Sequence, residues 1–349
     1  MQPVPSRLDS TIDRRLWGMR DLSPLFPELT GQDPPIAEMW LTGASCRLAN
    51  GPFAGRELGD AWREMPVEWR GARCAADPQI PLLVKFLFPG EKPSIQVHPD
   101  DAYAAKHEAA HGGRGKTEMW HVLAARPGGE LLVNLLPGVT PEKFRSAMED
   151  GTLESLVARV PVVPGDTLYV PPGTVHTIGA GIMLCEIMEQ SDITYRVYDY
   201  KRKGPDGRER PLHVRQAFDV INFGEQAGEK VKPVRHTEPG LTQIFLAACR
   251  YFATERWEFD RRIGGVTSPG SFDLLVFLSG AGQIEAGHEK LPYGRMQLWF
   301  LPAALGAYQL DPTEPSVLLH TSVPDLDAYC RRLADLGIPR EDWSRIIHP

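Results

Sequence analysis

Gln96, His98, Glu118 and His176 are the residues of this chain whose types and settings suit the inner shell of one metal ion. Gln96 and His98 alternate within Ser94-Ile95-Gln96-Val97-His98, an apolar–polar run that fits a strand. Residues two apart on a strand share a face, so both side chains can converge on one point. Glu118 opens a second strand-like run, Glu118-Met119-Trp120-His121-Val122-Leu123. His176 follows Tyr169-Val170-Pro171-Pro172-Gly173-Thr174-Val175, in which two prolines and a glycine set a turn before a strand. Two imidazoles, a carboxylate and an amide oxygen suit zinc best, with iron, manganese and cobalt as further fits. Singly, each residue has an ordinary reading: a strand histidine is more often packed or exposed than a ligand, and a carboxylate at a strand start is usually solvated. The combination carries the expectation.

The local sequences around these residues resemble the type I phosphomannose isomerase family of metal-dependent cupins. The resemblance runs through Lys85 in Leu83-Val84-Lys85-Phe86-Leu87, then Ser94-Ile95-Gln96-Val97-His98-Pro99-Asp100-Asp101 and Gly115-Lys116-Thr117-Glu118-Met119-Trp120. It continues through Val170-Pro171-Pro172-Gly173-Thr174-Val175-His176 into the segment from Glu186 to Asp199, which contains Asp192 and Arg196. The resemblance implies a mainly β protein: a cupin-type jelly-roll catalytic domain with a few short helices, and a second, degenerate jelly-roll domain. It places Gln96, His98, Glu118 and His176 on one Zn²⁺ per chain. It implies interconversion of mannose 6-phosphate and fructose 6-phosphate through a cis-enediol, with Arg196 stabilising charge on the sugar oxygens. Lys116 would assist ring opening or proton transfer, and Ser94 and Lys85 would hold the phosphate. Asp192 and Glu186 are the candidates for orienting Arg196 or moving protons. Longer relatives carry a histidine immediately before the lysine matching Lys116; here that position is Gly115, so a base at that imidazole does not transfer. The Gly-Lys-Thr-Glu-Met-Trp form looks like the shorter bacterial branch.

The elements that must position these residues follow from composition and pattern. At 349 residues there is enough chain for two cores, and 32 prolines with 33 glycines, spread out, favour short strands joined by turns over long helices. The expected division is 1–232, carrying the site, and 233–349, a metal-free packing domain. Residues 1–75 read as an irregular opening apart from a strand at Ile36 to Thr42 and a short helix after Gly55. Pro81 to Leu87 reads as a buried strand broken only by Lys85, and an ammonium there needs an anionic partner. Asp100 is a helix cap, and helical spacing continues through Ala102 to Glu108. His107 and His111 stand four apart with Glu108 between them, but Gly112-Gly113 ends the helix, so a solvated face is expected. His121 falls on the strand face opposite Glu118 and reads as a supporting residue. Pro141 to Ala158 reads as two short helices, Leu212 to Phe223 as another, and 228–240 as a linker. The basic run from Lys201 to Arg210 reads as a solvated turn, with a role in holding phosphate as the less favoured alternative; Gly280-Ala281-Gly282 reads as a hairpin, and Leu326 to Leu336 as a helix capped at Asp325.

A net charge of −7 argues against nucleic-acid partners, and it requires a local cationic pocket for any anion. No apolar run reaches membrane-spanning length, and the N-terminal residues lack a signal peptide's apolar core. Five scattered cysteines read as reduced thiols, which suggests a cytoplasmic protein. A monomer or a homodimer is expected, and the family resemblance implies a hexose 6-phosphate as the small-molecule partner. Three other readings compete: a non-catalytic metal-containing sugar binder, another sugar-phosphate isomerase, with glucose 6-phosphate as the alternative substrate, and a cupin dioxygenase. Lys116 and Arg196 beside a full ligand set weigh against a mere binder, and the phosphate-suited residues weigh against oxygen chemistry.

Overall fold

The computed structural model describes residues 1–204, 206–224 and 228–348. The protein is mainly β and forms two compact units that are interleaved in sequence. One comprises Ile12–Met39 and Val84–Lys230; the other comprises Met1–Thr11, Trp40–Leu83 and Val231–Pro349. This differs from a single cut near residue 232. The opening residues are not irregular either: Ser6–Asp9 and Thr11–Met19 are strands. Ser6–Asp9 pairs with Gln297–Leu301 on one side and Arg47–Leu48 on the other, so the first residues complete a sheet made largely from the end of the chain.

The unit holding the predicted site is a cupin-type jelly roll of two antiparallel sheets. Its seven-stranded sheet runs Glu229–Lys230, Thr167–Val170, Glu118–Ala125, Ile182–Glu189, Leu82–Leu87, Ile36–Trp40 and Thr11–Met19. Its five-stranded sheet runs Tyr195–Tyr198, Ile95–Val97, His176–Thr177, Glu130–Leu135 and Val157–Pro161. Two cores set which face of each strand looks inward. Trp120, Val122, Leu168, Val170 and Leu184 from the larger sheet pack with Leu131 and Val133 from the smaller one. The outer face of the smaller sheet carries Ile95, Val97, Val175, Tyr195 and Val197, which pack under Phe144, Ala147 and Ala217 of the helices Pro141–Asp150 and Val214–Val220 and under Ile221 just after the second.

Strand parity then decides the site. Ile95 and Val97 are fully buried outward, so Gln96 between them turns inward. A one-residue slip would exchange these faces and forfeit about 1.5–3 kcal/mol for each apolar side chain, which locks the register. The same alternation turns His176 inward beside Val175, and Arg196 inward between Tyr195 and Val197. On the larger sheet, Glu118 shares the inward face of Trp120 and Val122.

The second unit has an eight-stranded sheet and a four-stranded sheet, with Trp257, Phe277, Trp299, Leu310 and Leu318 in its core. Two elements differ from expectation. The 228–240 segment contains the short strands Glu229–Lys230 and Val234–Glu238. Gly280-Ala281-Gly282 is a corner and not a hairpin: Asp273–Ser279 lies in the eight-stranded sheet and Gly282–Ala286 in the four-stranded one. Alternation around the glycines is the same in a corner and a hairpin, so pattern alone does not distinguish them. The helix Leu326–Asp335 is capped by Asp325, which accepts from the Ala328 N–H.

That helix delivers Arg332 to Glu255, which is buried in the sheet. Arg332 donates to both carboxylate oxygens, and the Trp257 indole N–H donates to Oε2 at 2.9 Å. Burial alone would raise the Glu255 carboxyl, but Arg332 outweighs it and holds the group below its ordinary value. Arg332→Ala leaves that carboxylate without its cation and is expected to destabilise this unit by about 3 kcal/mol. Urea unfolding followed by tryptophan fluorescence reads this as a lowered midpoint, and an unchanged midpoint would contradict it.

Candidate metal centre and cavity

The four predicted ligands converge. Gln96 pairs with His176 in the smaller sheet, and Arg196 pairs with Gln96, so the three form one cross-strand row. His98 lies just past the Ile95–Val97 strand on the parity of Gln96, and Glu118 reaches across from the larger sheet. The ligand-type atoms of His98, Glu118 and His176 all lie within 4.8 Å of one another, and all three residues are buried. His98 Nε2 is 3.2 Å from Glu118 Oε1, and His176 Nε2 is 3.9 Å from Glu118 Oε2. Gln96 Nε2 is 3.3 Å from His176 Nε2, and rotating this amide by half a turn offers its oxygen to the same point.

The turns hold the rings with their Nε2 atoms free to face inward. His98 Nδ1 donates to the Ile193 carbonyl at 2.8 Å, and His176 Nδ1 donates to the Thr174 carbonyl at 2.9 Å. Such outer hydrogen bonds fix the tautomer that a metal-binding imidazole needs. Gly173, with φ of 79°, closes the Pro171-Pro172 turn and donates its N–H to the His98 carbonyl, tying the two histidine segments together. Burial, with the Lys116 charge, pushes the His98 imidazole below its ordinary value. Burial and the neighbouring His98 push His176 down to about 3. Both rings are therefore neutral, as ligands must be.

The donor set fits a divalent cation. His98 Nε2 and Glu118 Oε1 are buried with no hydrogen-bond partner among the described residues, although each stands close to the other. Burial disfavours the charged form of Glu118, but Lys116 at 3.0 Å and His98 outweigh it and hold the carboxyl well below its ordinary value. Burial, then the neighbouring Glu118, pushes Glu186 up to about 8, so this carboxyl keeps its proton near neutral pH.

A cavity of about 310 Å³ opens beside the centre, lined by Lys85, Ser94, Gln96, Lys116, Glu186, Asp192 and Arg196. These are the remaining residues expected at the site, but several make different contacts from those expected. Lys85, 2% exposed, gives its ammonium to Asp192 Oδ1 at 3.0 Å and Glu38 Oε2 at 3.3 Å, so it is already neutralised and less suited to a phosphate. Glu186 accepts from the Trp120 indole N–H, which Glu118 shares at the same 3.0 Å distance. Arg196 is held by Pro211, whose carbonyl accepts from Nη1 at 3.0 Å, and not by Asp192 or Glu186. Ser94 Oγ donates to Gln96 Oε1 at 3.4 Å.

His107 and His111 stand apart from the centre. The helix Asp101–His107 ends before His111, which pairs with Glu108 on the surface, and His107 stacks on Tyr103. His121 is buried and bonds Thr167 Oγ1 at 2.9 Å, a supporting role. Gly115 has no room for a side chain, because a Cβ there would lie 2.6 Å from the Asp100 and Asp101 backbone. Sequence reasoning missed Glu38, Arg15 and Arg210, which also line the cavity. A glutamate inside the apolar run Ile36 to Trp40 was a signal for Glu38, and the basic run ending at Arg210 was one for that residue; Arg15 had none that is local.

No family model matches the chain. Among relatives, it is 31% identical over 325 residues to mannose-6-phosphate isomerase of Streptococcus mutans, covering 91% of this chain and 98% of that protein. It is 33% identical over 322 residues to a probable mannose-6-phosphate isomerase of Bacillus subtilis, covering 90% and 99%. The crystal structure of mannose 6-phosphate isomerase from Bacillus subtilis superposes with a TM-score of 0.81 at 26% identity, over 92% of this chain and 99% of that one. With that identity sustained over nine-tenths of its length, the chain belongs to the mannose-6-phosphate isomerase family.

Proposed function

We infer that this protein is a metal-dependent aldose–ketose isomerase that interconverts mannose 6-phosphate and fructose 6-phosphate. One observation carries the reading: in a chain of this family, a buried His98–Glu118–His176 cluster lies against a cavity whose wall includes Gln96, 3.3 Å from His176, Lys116, 3.0 Å from Glu118, and Arg196. His98, Glu118 and His176, with Gln96, are the proposed ligands, and the mixed imidazole–carboxylate–amide set favours zinc. When bound, the ion supplies Lewis-acid stabilisation of negative charge on sugar oxygens.

The chain's own residues do the rest. Isomerisation opens the ring, removes the proton from C2 of the aldose and returns one to C1. The C2–H is a weak acid, so stabilising the enediolate oxygens takes most of the barrier. Arg196, permanently charged and planar, faces those oxygens in this proposal. Lys116 is buried at the cavity wall, 3.0 Å from Glu118, and its ammonium can protonate the ring oxygen on opening. Glu186 and Asp192 are the carboxylates on the cavity wall that can carry the proton between C2 and C1.

The five cysteines are thiols, four of them buried, which supports a reducing, cytoplasmic setting. Among the described residues no helix is long and apolar enough to cross a membrane.

The test is a coupled assay of mannose 6-phosphate isomerisation on the full chain, before and after a chelator and then with zinc, manganese, cobalt or iron restored one at a time. Turnover is expected to vanish on chelation and to return best with zinc. A folded, metal-replete protein without turnover would refute the isomerase reading, and recovery best with another metal would replace zinc.

A further inference from the structure

Charge is divided unevenly along the cavity. At its deep end the cations are already matched: Lys85 pairs with Glu38 at 3.3 Å and with Asp192, whose side chain is 64% exposed, at 3.0 Å, and Lys116 pairs with the buried Glu118 at 3.0 Å. A phosphate dianion placed there would compete with those carboxylates for the same ammonium groups. The more accessible wall is built the other way. Arg15, its side chain 56% exposed, and Arg210, 34% exposed, line the cavity with the half-buried Arg196. Arg202 stands beside them on a shared carboxylate: Asp199 Oδ1 accepts from Nη2 of Arg202 at 2.5 Å and of Arg210 at 2.6 Å, while Oδ2 accepts from Nε of Arg210 at 2.7 Å.

Of the carboxylates facing these four guanidinium groups, only Asp199 is buried. Asp13, 28% exposed, accepts from Arg15 Nε at 2.9 Å and lies 2.7 Å from its Nη2, while Glu91 is 3.9 Å from Arg202 and 69% exposed, so Glu91 is screened and three carboxylates stand against four guanidinium groups. Arg196 makes no ion pair among the described residues, and its buried Nε has no hydrogen-bond partner there. The wall therefore holds surplus positive charge in planar forks, the donor geometry that matches phosphate oxygens.

We propose that Arg15, from the strand Thr11–Met19, and Arg210, from the loop after Tyr195–Tyr198, clamp the phosphate of the hexose 6-phosphate at the cavity mouth. The clamp orients the sugar so that C1 and C2 reach Arg196 and the His98–Glu118–His176 centre. It rests on the isomerase reading and moves the phosphate away from Lys85, whose ammonium two carboxylates already occupy. It also gives a task to part of the basic run that sequence pattern read as a solvated turn. Asp199, by holding Arg202 and Arg210 together, is the positioning residue of the clamp.

The test is steady-state kinetics on Arg15→Ala, Arg210→Lys and the double variant Arg15→Ala/Arg210→Ala, with metal content measured on each. KM for mannose 6-phosphate is expected to rise about tenfold or more in Arg15→Ala and further in the double variant, with kcat changing less than KM. The inhibition constant of inorganic phosphate, used as the probe, rises in parallel, and metal content stays at the wild-type level. Arg210→Lys keeps the charge without the fork and falls between wild type and the double variant. Arg15 is exposed on its strand, so its single variant remains informative if the double variant folds poorly. Unchanged KM and phosphate inhibition in an active Arg15→Ala enzyme would overturn the clamp, as would a loss confined to kcat. Absence of turnover in the metal-replete wild type would instead overturn the isomerase reading beneath it.

Discussion

Glu118→Gln is expected to lose its metal and its turnover together. The carboxylate is fully buried, with one oxygen 3.2 Å from His98 Nε2 and 3.0 Å from Lys116 Nζ, and the other accepting the Trp120 N–H at 3.0 Å. The amide has almost the same shape and can keep the tryptophan bond through its oxygen. Its NH₂ group then points at an ammonium and an imidazole, where a negative charge had been. A cation at this centre would lose its only carboxylate among the three clustered side chains. Several kcal/mol of charge stabilisation disappear with it, roughly 10³-fold or more in kcat. Elemental analysis after dialysis should find the metal far below one per chain, and the coupled assay should find the activity loss, with excess metal restoring little. Wild-type metal content and turnover in this variant would remove Glu118 from the centre.

Arg196→Ala should separate the two losses. Its backbone belongs to the row that includes Gln96 and His176, but its side chain touches neither histidine; Nη1 donates to the Pro211 carbonyl. Burial, with Arg210 nearby, pushes the guanidinium below its ordinary value, yet a group of such high intrinsic pKa stays charged at neutral pH. Truncation is therefore expected to spare the metal and lower kcat by roughly 10²–10³-fold, the scale seen when a preorganised charge-stabilising donor is removed. Arg196→Lys should recover part of that loss, because the charge returns without the planar pair of donors. Metal loss in Arg196→Ala would make the residue a support of the centre and not a group that acts on the sugar. A large rise in KM with kcat intact would move it into the phosphate clamp.

These two variants, with the clamp variants, divide the cavity into three tasks that the charge distribution already suggests. In the proposed arrangement the buried end, where Glu118 joins the two histidines, takes the cation, and the guanidinium-rich wall takes the phosphate. Arg196 lies in the same row as the ligand-bearing strands and also lines the cavity beside Arg210, between these ends in role. A substrate with a dianion at one end and a polarisable carbonyl or enediolate at the other matches that order.

Gln96, His98, Glu118 and His176 could be recognised before any coordinates because what orients them is local. Alternation at Ile95 to His98 states which side chains share a face, and Pro171-Pro172-Gly173 states where the chain turns before His176. The Asp100 and Asp325 caps were legible for the same reason, since a cap and the N–H it binds lie three residues apart. Lys85 shows the limit. A lysine in an apolar strand announces a buried ammonium, but its partner Asp192 is 107 residues away, and nothing along the chain says whether that partner is a carboxylate or a phosphate. Arg15 carries no local mark, and Arg210 only its place in the basic run Lys201 to Arg210. They become part of the site only because their strand and loop come to the same cavity wall. The same holds for Ser6–Asp9, whose membership in the second unit depends on pairing with Gln297–Leu301 near the other end of the chain. Side-chain parity, turns and caps are properties of neighbours in sequence, so the shared facing of the proposed ligands was readable from sequence. Strand partners and charge partners are chosen through space, so only the folded chain decided which carboxylates the cavity's cations meet.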